Sequence, residues 1–333
     1  MFSLTKQTIH FVDILKIPIK KFLSITLPIA LGLFLIIYKY NEFSAAQIAE
    51  MKGYFQQADY LYIYLSLFIA LFGYISRAYR WKYPLQHLGY NPRFSNKLFA
   101  VCIAYMVNLS VPRSGEISRA VVLKKYENIP FDQGFGTIVA ERIVDLFIFA
   151  GFFFVALIFQ INVVSDFLTK HIPVDQLLIL AVVGIVLAAI FMLVWMYSKL
   201  GIILKAKEKL AGLTAGMKSI YTMPHKWAFL AHSIFIWFTY LAMFYVTIFA
   251  LPETANISFG AVVTAFVVGS IAIGFTNSGF GAYPILIAEI LLLYQVPETA
   301  GLAFGWIVWI SQTILMIALG GISFLLLPLF NRR

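Results

Sequence analysis

Leu98–Leu123 reads LFAVCIAYMVNLSVPRSGEISRAVVL. It is apolar enough to enter a membrane as far as Val111. There Pro112-Arg113-Ser114-Gly115 interrupts it, because proline lacks the amide hydrogen a helix needs and glycine loosens the backbone. A helical pattern resumes at Glu116 and ends on Lys124-Lys125. A break at membrane depth is tolerated only where the freed peptide groups face protein or a wet cavity. A second run, Phe259–Tyr294, has the same plan. It is apolar to Phe275, breaks at Thr276-Asn277-Ser278-Gly279-Phe280-Gly281, and resumes near Pro284. A proline turn follows each run, Ile129-Pro130-Phe131-Asp132 and Val296-Pro297-Glu298-Thr299, and a long apolar run follows each turn.

The chain around these breaks is a membrane chain. Of 333 residues, 61% are hydrophobic and 12% charged, about half the charge of a soluble domain. Six uninterrupted runs approach or exceed the length of about 20 residues that crosses a bilayer. They are Phe22–Tyr38, Tyr60–Ile75, Gly134–Phe159, Gln176–Met196, Trp227–Leu251 and Leu302–Leu327. The fold class expected is therefore all-α and polytopic: six full spans plus two broken re-entrant helix pairs, arranged as an inverted repeat. Eight ordinary spans with kinks is the alternative. The whole of 1–333 reads as one integral membrane domain, with 97–159 and 257–327 as its two repeat-like units. A short echo, Pro252-Glu253-Thr254-Ala255 and Pro297-Glu298-Thr299-Ala300, supports two helix starts with an acid in the first turn.

Charge orients the chain. There are 25 Lys and Arg against 15 Asp and Glu. The basic residues gather at the N-terminus, Arg77–Lys97, Lys124-Lys125, Lys199–Lys226 and Arg332-Arg333, on one side of the spans. Glu42, Glu50, Asp59, Asp166, Asp175, Glu253 and Glu298 lie on the other, with three lysines, Lys39, Lys52 and Lys170. The positive-inside rule then places both termini in the cytoplasm, in the plasma membrane of the cell. Dispersed between spans, the basic residues form no nucleic-acid module. Ile9–Ile19 and Leu204–Ser219 have the pattern of interfacial amphipathic helices.

Charges within the spans cost about 2.5–3.5 kcal/mol each on insertion scales and are usually functional. Arg113, Glu116 and Arg119 stand at the first break. Glu141, Arg142 and Asp145 stand in the span that follows, with Glu141 and Asp145 four apart on one helix face. Glu289 follows the second break. Ser114, Gly115 and Glu116 open a half-helix whose N–H groups favour an anion, and the arginines supply fork-like donors for phosphate. Glu141 and Asp145 are expected either to hold those arginines or to receive a cationic group of the headgroup. Asn277, Gly279 and Gly281 add polar and close-approach positions at the second break. The expectation is a water-accessible cavity for a phospholipid or polyprenyl-phosphate headgroup, built from these residues. The competing reading is a set of internal ion pairs, Arg113–Glu141 and Arg119–Asp145, that only fix packing. Arg77 and Arg80 are expected to snorkel to the interface beside Trp81. His232 is expected to pack within a span.

Catalytic signatures are absent. There is no H-E-x-x-H, no G-x-S-x-G and no strand-linked glycine loop. With one cysteine, Cys102, and few histidines, no metal or other cofactor is expected, and no enzymatic activity.

At P-R-x-G-E-x-x-R, read as Pro112-Arg113-Ser114-Gly115-Glu116-Ile117-Ser118-Arg119 with its E-R-x-x-D partner Glu141-Arg142-Ile143-Val144-Asp145, the chain resembles the lysylphosphatidylglycerol synthase transmembrane family. Asn277-Ser278-Gly279-Phe280-Gly281 with Glu289 is similar to that family's second, glycine-rich motif, from which it departs somewhat. The resemblance implies a flippase-like membrane domain that moves an anionic or aminoacylated phospholipid, or a polyprenyl-phosphate-linked lipid. In two-part members a soluble C-terminal transferase makes the lipid. No such part follows Leu327 here, so a partner lipid-modifying synthase is the implied companion. An integral-membrane enzyme with Glu141 or Asp145 as acid or base, and a scaffold for a synthase, are the other readings.

Overall fold

The computed structural model describes residues 19–161 and 222–332. All its regular structure is helical. In chain order the helices are α1 (Ile19–Glu42), α2 (Ala45–Gln57), α3 (Tyr60–Arg80), α4 (Lys82–His87), α5 (Phe94–Ser110), α6 (Ser114–Glu127) and α7 (Phe131–Phe159). After the undescribed stretch come α8 (Lys226–Ile248), α9 (Pro252–Ala255), α10 (Phe259–Phe275), α11 (Ala282–Leu292) and α12 (Glu298–Phe330). Among the described residues, four stretches are long and apolar enough to cross a membrane: α3 with α4, α7, α8 and α12. The expected span Gln176–Met196 and the amphipathic helices at Ile9–Ile19 and Leu204–Ser219 lie outside the described residues, apart from Ile19 itself.

Hydrogen bonds at the two ends of the bundle define its faces. At one end, Asn96 Nδ2 donates to Glu127 Oε1 at 2.5 Å and to Asn331 Oδ1 at 2.9 Å, which joins the start of α5, the end of α6 and the end of α12. Lys82, Arg93, Lys97, Lys124, Lys125, Lys226 and Arg332 belong to this basic end. At the other, the amide of Asp59 donates to the carbonyl of Ala250 at 2.9 Å, and Lys39 pairs with Glu298 at 2.7 Å. Glu42, Glu50, Glu253 and Glu289 belong to this acidic end.

Both broken runs are hairpins that turn back. α5 and α10 are each 17 residues, about 25 Å, short of a hydrocarbon core of about 30 Å. The hairpin α5–α6 opens on the basic end and α10–α11 on the acidic end, and their tips meet inside the bundle. Asn277 Nδ2 donates to the carbonyl of Leu109 at 3.0 Å, and Ser278 Oγ to that of Asn108 at 3.1 Å. Groups that α5 leaves unpaired at its C-terminal end are thereby satisfied by the opposite hairpin. The backbones also echo each other. Arg113 and Ser278 at the tips have φ of 61° and 53°, and Asn128 and Gln295 before the next helices have 55° and 63°. Pro130 and Pro297 then start α7 and α12 with nearly the same angles.

The core has two main parts. Near the acidic end, Phe244, Phe266, Phe304 and Ile287 pack together. Near the basic end, Trp81, Leu85, Leu123 and Ile138 do so. Close approaches are made by glycines. A Cβ on Gly281 would strike the carbonyl of Gly32, and Gly281 also has φ of 72°, so α1 touches the second tip there. Outward surfaces of α3, α7 and α12 are lined by large apolar residues such as Phe68, Phe154 and Phe324, as lipid contact requires.

Candidate functional site

The first tip is built locally. Pro112 cannot extend α5, Arg113 takes the left-handed conformation, and Ser114 Oγ donates to the carbonyl of Val111 at 2.5 Å. Asn108 Oδ1 accepts the amide of Gly115 at 2.7 Å. Any side chain at 115 would collide with the Ala104 carbonyl and with Asn108, so glycine is what lets α6 lie against α5.

α7 brings its acids to this hairpin. Glu141 is ten residues into α7 and Asp145 fourteen, so they lie about 15 and 21 Å from its start at the basic end. Glu141 Oε2 is 2.9 Å from Arg119 Nη1 and 3.3 Å from Arg80 Nη2. Asp145 accepts from Arg80 Nη1 at 2.6 Å and lies 3.2 Å from Arg77 Nη1. Arg142 bridges outward, 3.1 Å from Glu116 and 3.4 Å from Asp145. Glu141 and Arg80 have no exposed surface, and Arg119 retains 2%.

Two expectations are corrected by this network. Arg77 and Arg80 do not snorkel. Both are buried on α3 and serve as counter-ions to Glu141 and Asp145. The signal was present in their i, i+3 spacing and in two acids on one face of α7, but only the packing of α3 near α7 matches them. The pairs Arg113–Glu141 and Arg119–Asp145 are not formed either. Arg119 pairs with Glu141, Glu116 with Arg142, and Arg113 is exposed at the tip.

The second motif is placed differently. Asn277 and Gly279 sit at the second tip, against α5 and beside Tyr283 and Trp309. Glu289 is remote from the arginines. It lies at the acidic end, 3.2 Å from Lys39, which also pairs with Glu298 at 2.7 Å and Glu42 at 3.3 Å.

Aromatic and polar groups missed in the sequence complete the cluster. The Arg119 guanidinium lies 3.9 Å from the centroid of the Trp81 ring, whose Nε1 donates to Thr137 Oγ1 at 2.8 Å. Arg77 Nη2 donates to the Tyr240 hydroxyl at 3.2 Å, which is 2.6 Å from that of Tyr105. Arg80 also donates to Ser233 Oγ at 2.9 Å. His232 is packed as expected, with Nδ1 2.8 Å from Ser76 Oγ and its ring near Tyr79 and Tyr83.

A cleft of about 10 Å³ runs over this cluster, roughly the room of one water. Its wall includes Arg77, Tyr105, Asn108, Gly115, Glu116, Arg119 and Arg142. Buried polar atoms lack partners around it: Nε and Nη2 of Arg119, Nε of Arg77 and Arg80, Oε1 of Glu141 and Oε2 of Glu116. Groups left so in a low-dielectric interior cost free energy, and binding a polar ligand recovers it. Among the described residues no cluster of His, Cys, Asp and Glu suits a metal ion.

Comparison with known proteins agrees with this architecture. Residues 23–320 match the family described as the lysylphosphatidylglycerol synthase TM region. A UPF0104 membrane protein of Methanocaldococcus jannaschii is 28% identical over 154 residues, which is 45% of this chain and 43% of that one. The glycosyltransferase AglD of Haloferax volcanii is 37% identical over 76 residues, 22% of this chain and 12% of that one. The match thus spans less than half of either relative. No solved structure matches the chain. With the paired charge motifs standing at one site and the match running over most of its length, the chain belongs to the lysylphosphatidylglycerol synthase transmembrane family.

Proposed function

We propose that this protein is a lipid flippase or transporter of the cytoplasmic membrane, with both termini in the cytoplasm and no chemistry of its own. The observation that carries the reading is the arginine-rich cluster buried about 15–21 Å inside the bundle, at the point where a broken hairpin turns back. Such depth is of little use to a purely interfacial binder, and broken half-helices at mid-membrane are a mark of transporter sites. The family's description names a synthase of an aminoacylated phospholipid, which makes a lipid the natural cargo.

The cleft has room for about one water, less than a phosphate needs, so on this reading the site is closed. A headgroup enters when α5–α6 moves relative to α7, and it takes over the unpartnered donors of Arg119. The tip-to-tip hydrogen bonds then loosen as the second hairpin follows. An enzymatic role for Glu141 or Asp145 fits less well. Neither lines the cleft, and each is already held by two or more guanidinium groups.

The test is reconstitution of the purified chain with fluorescent phosphatidylglycerol, followed by quenching of the outer leaflet. Wild type is expected to expose inner-leaflet probe, with Arg113→Ala and Glu116→Gln slower by about tenfold, the loss of one charge-assisted contact. Translocation at the same rate in all three removes the site. Rates equal to protein-free vesicles, across anionic and aminoacylated lipids, remove the function.

A further inference from the structure

We infer that the buried cluster is matched to a phosphodiester monoanion, a headgroup with one negative charge and no ammonium group. This rests on the lipid-handling reading of the same site and names the charge class of its cargo.

Arg77, Arg80, Arg119 and Arg142 are ion-paired with Glu116, Glu141 and Asp145. A guanidinium stays protonated in a protein, and every one of these carboxylates touches at least one. Four positive charges against three negative leave a surplus of one. The buried members alone, Arg77, Arg80 and Arg119 against Glu141 and Asp145, leave the same surplus, while Arg113 is exposed at the tip and outside this network. An uncompensated charge at this depth is expensive, and a single bound anion neutralises it.

Independently of this count, the unpartnered atoms around the charged cluster are four donors, on Arg77, Arg80 and Arg119, and two acceptors, on Glu141 and Glu116, with one more acceptor, Asn277 Oδ1, at the second tip. The site therefore lacks acceptors, which phosphate oxygens supply. Position adds to this. Arg77, Arg119 and Arg142 line the cleft, and among the acids only Glu116 does, already engaged with Arg142. An ammonium entering the cleft meets three guanidinium groups and a single carboxylate, Glu116, one oxygen of which is already held by Arg142. A phosphomonoester dianion overshoots, because Asp145 stands directly behind Arg77 and Arg142 and Glu141 behind Arg119.

The inference differs from what the family description suggests, since an aminoacylated headgroup carries an ammonium. It is tested by binding rather than transport. The purified full chain in detergent is titrated at matched ionic strength and slightly alkaline pH, where a phosphomonoester is a dianion. The probes are glycerophosphoglycerol (diester monoanion), glycerol 3-phosphate (dianion), inorganic phosphate, glycerophosphoethanolamine (zwitterion) and a short-chain phosphatidylglycerol. The readouts are Kd and the shift in unfolding midpoint. Glycerophosphoglycerol is expected to bind more tightly than the dianions and the zwitterion, and the short-chain lipid more tightly still, which separates a lipid headgroup from free phosphate. Glu116→Gln raises the surplus to two and should shift the ratio of affinities toward glycerol 3-phosphate by about fivefold. Glu116 is only partly buried, so this variant should fold, and a merely structural role would leave the ratio unchanged. Preference for the dianion, preference for the zwitterion, equal binding by all, no binding by any, or an unmoved ratio in Glu116→Gln each overturns the inference. Diester binding without transport overturns the flippase reading alone, and transport of a lipid of another charge class overturns the inference alone.

Discussion

Glu141 sits without exposed surface between Arg80 and Arg119, and its worth is decided by what remains when a partner is lost. Arginine cannot discharge itself, so truncating the acid strands the buried Arg119 and leaves Arg80 with Asp145 alone. Glu141→Ala is expected to destabilise the protein by about 3–5 kcal/mol. The double replacement Arg119→Met with Glu141→Met should cost less than the sum of its singles, since it removes both ends of one pair. A double-mutant cycle on the unfolding midpoint in detergent measures this. Additive effects would show that the two side chains do not share their energy. Arg113 is the contrasting residue: exposed, in left-handed backbone and outside the ion-pair network, it can be removed with little loss of stability, which is why it suits a functional test.

At the scale of elements, the two hairpins hold each other by their tips. Asn277 and Ser278 satisfy carbonyls at the end of α5, while Gly115 lets α6 lie against α5 and Gly281 lets the second tip touch α1. A transport cycle has to part these tips. A cysteine pair at Asn108 and Ser278, oxidised to a disulfide, is expected to abolish lipid movement in proteoliposomes, and a reductant to restore it. Undiminished transport in the crosslinked sample would show that the tips stay together through the cycle. Cys102, buried in the basic-end core six residues before Asn108 on α5, is replaced by serine in this background so that only the designed pair can be oxidised.

At the scale of the whole molecule, the two ends differ in sign. The basic end gathers lysines and arginines around the mouth of the first hairpin, and the acidic end carries the carboxylates around Lys39. Anionic lipid attracts basic segments at the inner surface of a cell membrane. Cysteine replacements at Lys82 and Lys52 should therefore react with a membrane-impermeant maleimide from opposite sides, Lys82→Cys only after the cells are opened and Lys52→Cys in intact cells. The reverse pattern would invert the orientation and place the charged cleft nearer the outside.

Much of this was legible in one dimension, for reasons that are local. Composition and run length dictate a helical membrane chain, because only a helix satisfies its own backbone in lipid. Pro112 and the Thr276–Gly281 cluster dictate the two breaks, because proline and glycine act within a turn or two of themselves. The charges at 113–119 and 141–145 stand out because lipid tolerates so few. What the tertiary structure alone decided is partnership. Arg77 and Arg80 look interfacial in the sequence, yet the packing of α3 near α7 makes them the counter-ions of Glu141 and Asp145. Glu289 looks like part of the same cluster, yet the opposite orientation of the second hairpin carries it to Lys39 at the far end. Charge pairs across helices depend on which faces meet and at what depth, and spacing along a single chain does not contain that information. The break at Leu98–Leu123 was visible from its own residues; the opposite tip that seals it, and the third and fourth arginines that surround it, came only with the fold.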